Sequence, residues 1–251
     1  RLTPAERAER EAALAEEVTI LWQTDEVRSH RPRVVDEIRQ ALWFLEDSLW
    51  DAAGHLLAVW REHLPGSPLR FGTWIGGDLD GNPNAGAETV REAVERGSAL
   101  VRELLRRDVR ALAASWGMSS SLVEADSRVA AVDLPADRNP NEPYRRRLTA
   151  IWERLGADDY RSADELRGEL DLIETSLRDN GGSRIADGGL ASLRRHLDVF
   201  GLTGPALDLR LHSRQLRHDP EATLDVLAEA AALQRRYGRD AIDTLVVSMT
   251  H

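Results

Sequence analysis

The stretch "WIGGDLDGNPNAG", Trp74 to Gly86, decides how this chain is read. Within thirteen residues it holds four glycines, one proline, two asparagines and two aspartates. Glycine loses more conformational freedom on folding than any other residue, so such a segment is costly to order. Just before it, Leu69 to Ile75 contains Phe, Thr, Trp and Ile between Pro and Gly signals, and reads as a strand. Just after it, Ala87 to about Trp116 reads as a long helix, with Val90, Val94, Val101, Leu104, Leu105, Val109 and Leu112 on one side. A loop after a strand and before a helix lies at the edge where α/β architectures build their sites. Gly76 and Gly77 permit positive φ and close backbone approach. Asp78 and Asp80 suit hydrogen bonds to local amides, or face a cation or an arginine. Pro83 stiffens the exit. On composition alone, a tight strand-to-helix turn and a functional loop carry equal weight. The dinucleotide pattern G-x-G-x-x-G is absent.

Upstream of the loop the chain reads as helical. Ala5 to Trp22 has Ala, Leu and charges at helical spacing, and Thr24 with Asp25 and Glu26 looks like a helix start. Pro32 ends one turn, and a long helical stretch runs from Val34 to about Leu64. There Val35, Ile38, Leu42, Leu45, Leu49 and Ala52 make an amphipathic stripe, with Trp43, Trp50 and Trp60 as expected core anchors.

Downstream, residues 117–143 are irregular, and Pro143 opens a helix through Trp152. Ser162, three residues before Glu165, caps the next helix, which Gly181 and Gly182 stop. "GGLASLRRHLDVFG" is a further short helix ending at Gly201. Ala206 to Ser213 alternates Leu207, Leu209 and Leu211 with Asp208, Arg210 and His212, a half-buried strand. A helix follows from Pro220 to Tyr237, and Asp243 to Met249 is a β-branched strand. Strands separated by helical connections predict parallel pairing. The expected fold class is α/β, predominantly α-helical. Its three strands would be the first part of a larger barrel.

Bulk properties narrow the function. The chain has 251 residues, 42% hydrophobic and 30% charged, with a formal net charge of −10. That composition is globular, and the acidic balance argues against general nucleic-acid binding, which rests on neutralising phosphates. No apolar run reaches the length of a membrane span, and residues 1–17 lack the apolar core of a secretory signal. There is no cysteine, which excludes thiolate chemistry and disulfides and suits the cytoplasm. There is also no lysine, so all 33 permanent side-chain cations are arginines. A P-loop or Schiff-base lysine is therefore not available within the chain.

Arg210 shares a strand face with Asp208 and His212. It reads either as an anion-binding group held in place by Asp208 or, more commonly for such a pattern, as an Arg–Asp pair on the polar face of an edge strand. Ser248, Thr250 and His251 stand at another strand end. His30, His55, His63, His196 and His218 have no metal-ligand spacing and read as surface or packing residues.

Taken together these stretches resemble the phosphoenolpyruvate carboxylase family. "FGTWIGGDLDGNPN" resembles its F-x-S-W-x-G-G-D-R-D-G-N-P signature, here Gly76, Gly77, Asp78, Asp80, Gly81, Asn82 and Pro83. "WQTDEVRSHRPRVVDE", "EDSLW", "NEPYRRRL", "LDLRLHS" and "LVVSMTH" resemble further family segments in the same order. The resemblance covers about Leu21 to His251. It implies a large α/β-barrel enzyme with many extra helices. Within it residues 1–68 form a helical segment, and residues 69–251 supply barrel strands with long helical insertions. It also implies a cytoplasmic homotetramer that carboxylates phosphoenolpyruvate with bicarbonate, using Mg²⁺ or Mn²⁺, to give oxaloacetate and phosphate. No nucleic-acid or membrane partner is implied.

Arg210 matches the family arginine that contacts the substrate phosphate. The sequence departs from the pattern at Leu79, where the signature has Arg. The connections around 133–138 and 217–233 look shorter than usual. The T-A-H-P-T-E segment would lie before Arg1. The metal-binding acids, a catalytic lysine and the H-G-R-G-G-S-x-G-R-G-G loop would lie after His251. The chain is therefore expected to be inactive alone. A competing expectation is a non-catalytic helical interaction or anion-binding module derived from the same scaffold.

Overall fold

The structure, a computed structural model, describes residues 3–24 and 32–249. The chain divides into two units, Arg1–Pro32 and Arg33–His251. The first holds one helix, α1 (Pro4–Gln23), and none of its residues is buried. Its start is a capping box: Thr3 Oγ1 accepts from the Glu6 N–H, and Glu6 Oε2 accepts from the Thr3 N–H at 2.7 Å. Thr24 caps the C-terminal end of this helix, its hydroxyl donating to the Ile20 carbonyl at 2.7 Å. Thr24, expected with Asp25 and Glu26 to start a helix, thus stands at the end of one, while Asp25 and Glu26 lie outside the described residues, as do His30, Thr250 and His251.

The second unit opens with α2 (Val34–Phe44), a single π-helical turn (Leu45–Leu49) and α3 (Trp50–His63), which together cover the long helix expected from Val34. The π turn explains a correction. A π turn inserts an extra residue into the helical repeat, so the buried stripe shifts phase after Leu45. Val34, Ile38 and Leu45 are buried, but the stripe continues through Trp50, Ala53, Gly54 and Leu57, while Leu49 and Ala52 face outward. Of the three expected tryptophan anchors only Trp50 is fully buried; Trp43 and Trp60 are 54% and 37% exposed. Trp50 stacks on Phe200, with ring centroids 4.9 Å apart, and its indole N–H donates to Asp108.

Helix α4 (Ala87–Ser115) is the spine, and its expected apolar side is buried throughout. Short α5 (Ser127–Ala130) interrupts the irregular segment. Next come α6 (Pro143–Gly156), started by proline at N1, and α7 (Ala163–Asp179). Ser162 caps α7, its hydroxyl accepting from the Glu165 N–H at 3.4 Å. The one-turn α8 (Ser183–Ile185) and a turn over Ala186–Leu190 lead into α9 (Ala191–Phe200); the backbone kinks at Gly188, whose φ of −86° and ψ of −119° are not helical, so the helix ending at Phe200 sets out from the two glycines as its sequence suggests. One core gathers Trp50, Leu105, Leu148, Ile151, Leu166 and Leu197 between these helices.

The strands are β1 (Gly72–Thr73), β2 (Ala206–His212) and β3 (Thr244–Ser248). Between β2 and β3 lie α10 (Ser213–His218) and α11 (Pro220–Tyr237). The strands pair in the order β1-β2-β3, all parallel, as the intervening helices predict. Gly72 pairs with Ala206, and Arg210 pairs with Val246. Leu207, Leu209 and Leu211 are buried with Val90, Val94 and Val226 in a second core against α4 and α11. Three strands alone do not close a barrel. Among the described residues, no helix is long and apolar enough to cross a membrane.

The strand expected over Leu69 to Ile75 is only two residues long, and the reason lies in the loop. Pairing runs Gly72 to Ala206 and Thr73 to Leu207, then resumes at a single bridge between Asp78 and Arg210. The first strand thus takes five residues to advance where β2 takes three, and the excess is thrown out as a turn closed by the Gly77 N–H on the Trp74 carbonyl.

Candidate functional site

The glycine-rich loop is stitched to β2 by main-chain bonds. The Arg210 N–H donates to the Gly77 carbonyl at 2.8 Å, and the Asp80 N–H donates to the Arg210 carbonyl at 3.0 Å. Two side chains fasten its remainder. Thr89 Oγ1 donates to the Gly76 carbonyl at 2.8 Å, and Gln215 Nε2 donates to the Leu79 carbonyl at 2.8 Å. Asn82 closes the exit as an Asx turn, its side-chain oxygen accepting from the Asn84 N–H at 3.0 Å. The Asn82 N–H in turn donates to the Asp78 carbonyl at 3.1 Å, and Pro83 is exposed just beyond.

Two glycines are dictated by this geometry. Gly76 has φ of +99°, and a Cβ there would stand 2.8 Å from Ala93 Cβ. A Cβ on Gly77 would stand 2.4 Å from the Asp208 carbonyl oxygen, inside any allowed contact. Gly81 lies against the Asp78 carboxylate, 2.6 Å from where its Cβ would be.

Arg210 projects from β2 beside this loop. Its guanidinium carbon lies 4.4 Å from the centroid of the Trp74 ring, a cation–π contact. This replaces the expected Arg210–Asp208 pair: among the described residues, no carboxylate forms an ion pair with Arg210. Its Nε is buried and has no acceptor among those residues. The cation is thus held by an aromatic face and a main-chain ladder rather than by a counter-charge, and its attraction for an anion is left unspent.

Leu79, at the position of the signature arginine, points the other way. It is 9% exposed and joins the apolar core of Val90, Val94 and Leu207. Asp80 is exposed and Asp78 half-buried. At the neighbouring strand end Ser248 pairs with His212, and its Oγ is buried without a partner among the described residues. His212 is occupied locally: its Nδ1 accepts from the Arg214 N–H at 2.9 Å.

Asp78, Arg210 and Ser248 therefore gather at the carboxyl edge of three parallel neighbours, as the alternating pattern and helical connections imply. Trp74, Thr89 and Gln215 were not singled out by the sequence. Trp74 lay within the quoted stretch, but ring packing on a cation that lies six helices further along the chain leaves no local signal. The motif "NEPYRRRL" lies elsewhere, among the helices. There Arg145 Nε donates to the Ala113 carbonyl at 2.8 Å and the Tyr144 hydroxyl meets Ser176 Oγ at 2.9 Å. His196, read as a surface or packing residue, is buried and hydrogen-bonded to Asp108 at 2.7 Å.

Comparison with known proteins supplies a context for this edge. The family model described as phosphoenolpyruvate carboxylase matches residues 1–220. The chain is 31% identical over 325 residues to the phosphoenolpyruvate carboxylase of Chromobacterium violaceum, covering 98% of this chain and 36% of that protein. It is 35% identical over 266 residues to that of Roseiflexus castenholzii, covering 89% of this chain and 28% of the relative. For the Nocardia farcinica protein the identity is 34% over 243 residues, with 84% and 26% covered. The chain spans from about a quarter to just over a third of the length of these curated relatives. The 325-residue span exceeds the 251 residues of this chain, so the first relative carries sequence that this chain lacks.

Proposed function

Because this chain belongs to the phosphoenolpyruvate carboxylase family, we propose that it supplies the phosphate-holding edge of a carboxylase that converts phosphoenolpyruvate and bicarbonate to oxaloacetate and phosphate. The single observation that carries the reading is Arg210. It is a cation without a carboxylate partner among the described residues, set on Trp74 at the carboxyl ends of parallel strands. Arginine there binds the substrate phosphate through a bidentate fork. The loop from Gly76 to Pro83 shapes the site with its backbone, and Asp78 and Asp80 orient it. Residues 69–251 would contribute barrel strands with long helical insertions, and 1–68 a helical lead-in. The whole protein would be a cytoplasmic homotetramer.

The family implies Mg²⁺ or Mn²⁺. The described residues hold no group of three or more His, Asp or Glu arranged to bind an ion. They do not fit that role, and no step is assigned through the metal on this chain. Its ligands would belong to sequence outside these residues. For the same reason the 251-residue chain is expected not to turn over alone.

A second reading is favoured by Leu79: a scaffold descended from the carboxylase that binds an anion or a protein without catalysis. A coupled assay separates the two. Intact protein with phosphoenolpyruvate, bicarbonate and Mg²⁺ should yield oxaloacetate, detected by malate dehydrogenase and NADH, while the isolated chain yields none. No turnover by the intact protein would leave only the second reading.

A further inference from the structure

Two buried polar atoms on one face of the sheet lack partners. Among the described residues, four buried side-chain nitrogens and oxygens make no hydrogen bond: Arg102 Nη1, Arg195 Nε, Arg210 Nε and Ser248 Oγ. Folded proteins pair nearly all such groups, because each one left unmade has lost its hydration for nothing. The last two stand together. Arg210 pairs with Val246 and His212 pairs with Ser248, so in these parallel strands all four residues share one face. Ser248 lies diagonal to Arg210, one strand across and two residues nearer the carboxyl edge, which sets the two Cα atoms about 8 Å apart.

The groups around the Ser248 hydroxyl are engaged elsewhere. His212, its cross-strand mate, accepts from the Arg214 N–H on Nδ1, and its own N–H donates to Gln215 Oε1 at 2.9 Å. The amide nitrogen of Gln215 is bound to the Leu79 carbonyl. Just past Ser248 the strand ends in Met249, whose φ of +51° lies in the left-handed region that residues other than glycine seldom adopt. The hydroxyl of buried Ser213 donates to the Met249 carbonyl and holds that turn. The main chain at the end of β3 is thus fixed from α10, while the Ser248 hydroxyl stays unbonded among the described residues and is a rotor that can donate to an incoming anion.

We propose that Ser248 is a substrate-binding residue, its hydroxyl donating to a phosphate oxygen of the phosphoenolpyruvate that Arg210 holds. The inference rests on the carboxylase reading of Arg210 and adds a second, neutral donor to that site. A tetrahedral phosphate presents oxygens in several directions, so one meets the guanidinium and another meets the hydroxyl of its diagonal neighbour. Such a bond to an anion is short and charge-assisted. It gives the buried hydroxyl the partner that it lacks in the protein.

Calorimetric titration of the intact protein with phosphoenolpyruvate and Mg²⁺, in buffer freed of bicarbonate so that no carboxylation occurs, tests this. Ser248→Ala should weaken binding about tenfold, the loss of one charge-assisted contact. Without substrate its melting temperature should equal or exceed that of wild type, because the hydroxyl removed had no partner to lose. Arg210→Ala in the same titration tells two failures apart. If it weakens binding while Ser248→Ala binds like wild type, the serine assignment is wrong and the carboxylase reading stands. If neither variant changes the affinity, that reading fails and the proposal fails with it. A lower melting temperature for substrate-free Ser248→Ala would assign the hydroxyl to a partner within the protein and overturn the proposal.

Discussion

Gly77 and Arg210 share a main-chain hydrogen bond, the Arg210 N–H donating to the Gly77 carbonyl at 2.8 Å. This bond makes the loop and the candidate phosphate ligand one unit. Whatever displaces Gly77 also displaces the backbone from which Arg210 projects. The close approach of the two segments is what glycine provides, since any Cβ at 77 would collide with the Asp208 carbonyl.

Gly77→Ala is therefore expected to destabilise the protein by at least about 2 kcal/mol, because backbone rather than a flexible side chain must give way. Gly168→Ala, within α7 with nothing near its Cβ position, should be neutral or stabilise by up to about 1 kcal/mol. Guanidinium unfolding of the two variants checks the contrast. Equal midpoints would show that the strand–loop contact is looser than described.

Leu79→Arg restores the residue common in the family signature but places a guanidinium in the apolar core of Val90, Val94 and Leu207. The expected loss is about 2 kcal/mol or more, because the charge would be desolvated among apolar side chains. Leu79→Met, which preserves volume, should cost less than about 1.5 kcal/mol. Thermal melts order the two; a wild-type melting temperature for the arginine variant would mean that the side chain escapes to solvent.

The Trp74 ring faces the Arg210 guanidinium at 4.4 Å. Trp74→Ala in the intact protein should raise the KM for phosphoenolpyruvate about fivefold and leave kcat within about twofold, the effect of releasing a cation–π contact that positions a binding group. Steady-state kinetics separate this from a kcat effect, which would place Trp74 in the chemistry instead.

Alkaline pH offers a test of the packing. The protein has three tyrosines, and burial is the leading cause that raises the pKa of each: Tyr144, Tyr160 and Tyr237. For Tyr160 the nearby Glu169 carboxylate, which accepts from the hydroxyl at 2.9 Å, pushes in the same direction. A folded pKa above the unfolded value means that the stabilisation is complete below about pH 10 and is lost as pH rises beyond it. Tyrosinate absorbance at 295 nm should therefore appear together with loss of helical circular dichroism. A smooth titration centred near pH 10 with the helices intact would contradict this burial.

Much of the fold was legible because its signals are periodic. Helix α4 shows its full apolar side, β2 alternates over its whole length, and Ser162, Gly201 and Pro220 mark helix boundaries with local chemistry. What could not be read depends on distant partners or on backbone detail. The π turn at Leu45–Leu49 shifts the burial phase by one residue, so Leu49 and Ala52 were placed inside when Trp50 and Ala53 are. The short β1 follows from a two-residue excess that only pairing with β2 reveals. At the site, the convergence of Asp78, Arg210 and Ser248 follows from parallel strand order. Asp208 was the natural partner for Arg210 by spacing, and Trp74 took that place because the loop folds back across β2.

The most direct test of the account is the KM for phosphoenolpyruvate of the intact protein carrying Arg210→Ala. On the proposed role of Arg210, its removal should raise this KM by about a hundredfold or abolish turnover. The variant should keep the wild-type melting temperature, since Arg210 makes no ion pair among the described residues. A KM within about threefold of wild type, with the fold intact, would contradict the assignment of Arg210 to the substrate phosphate.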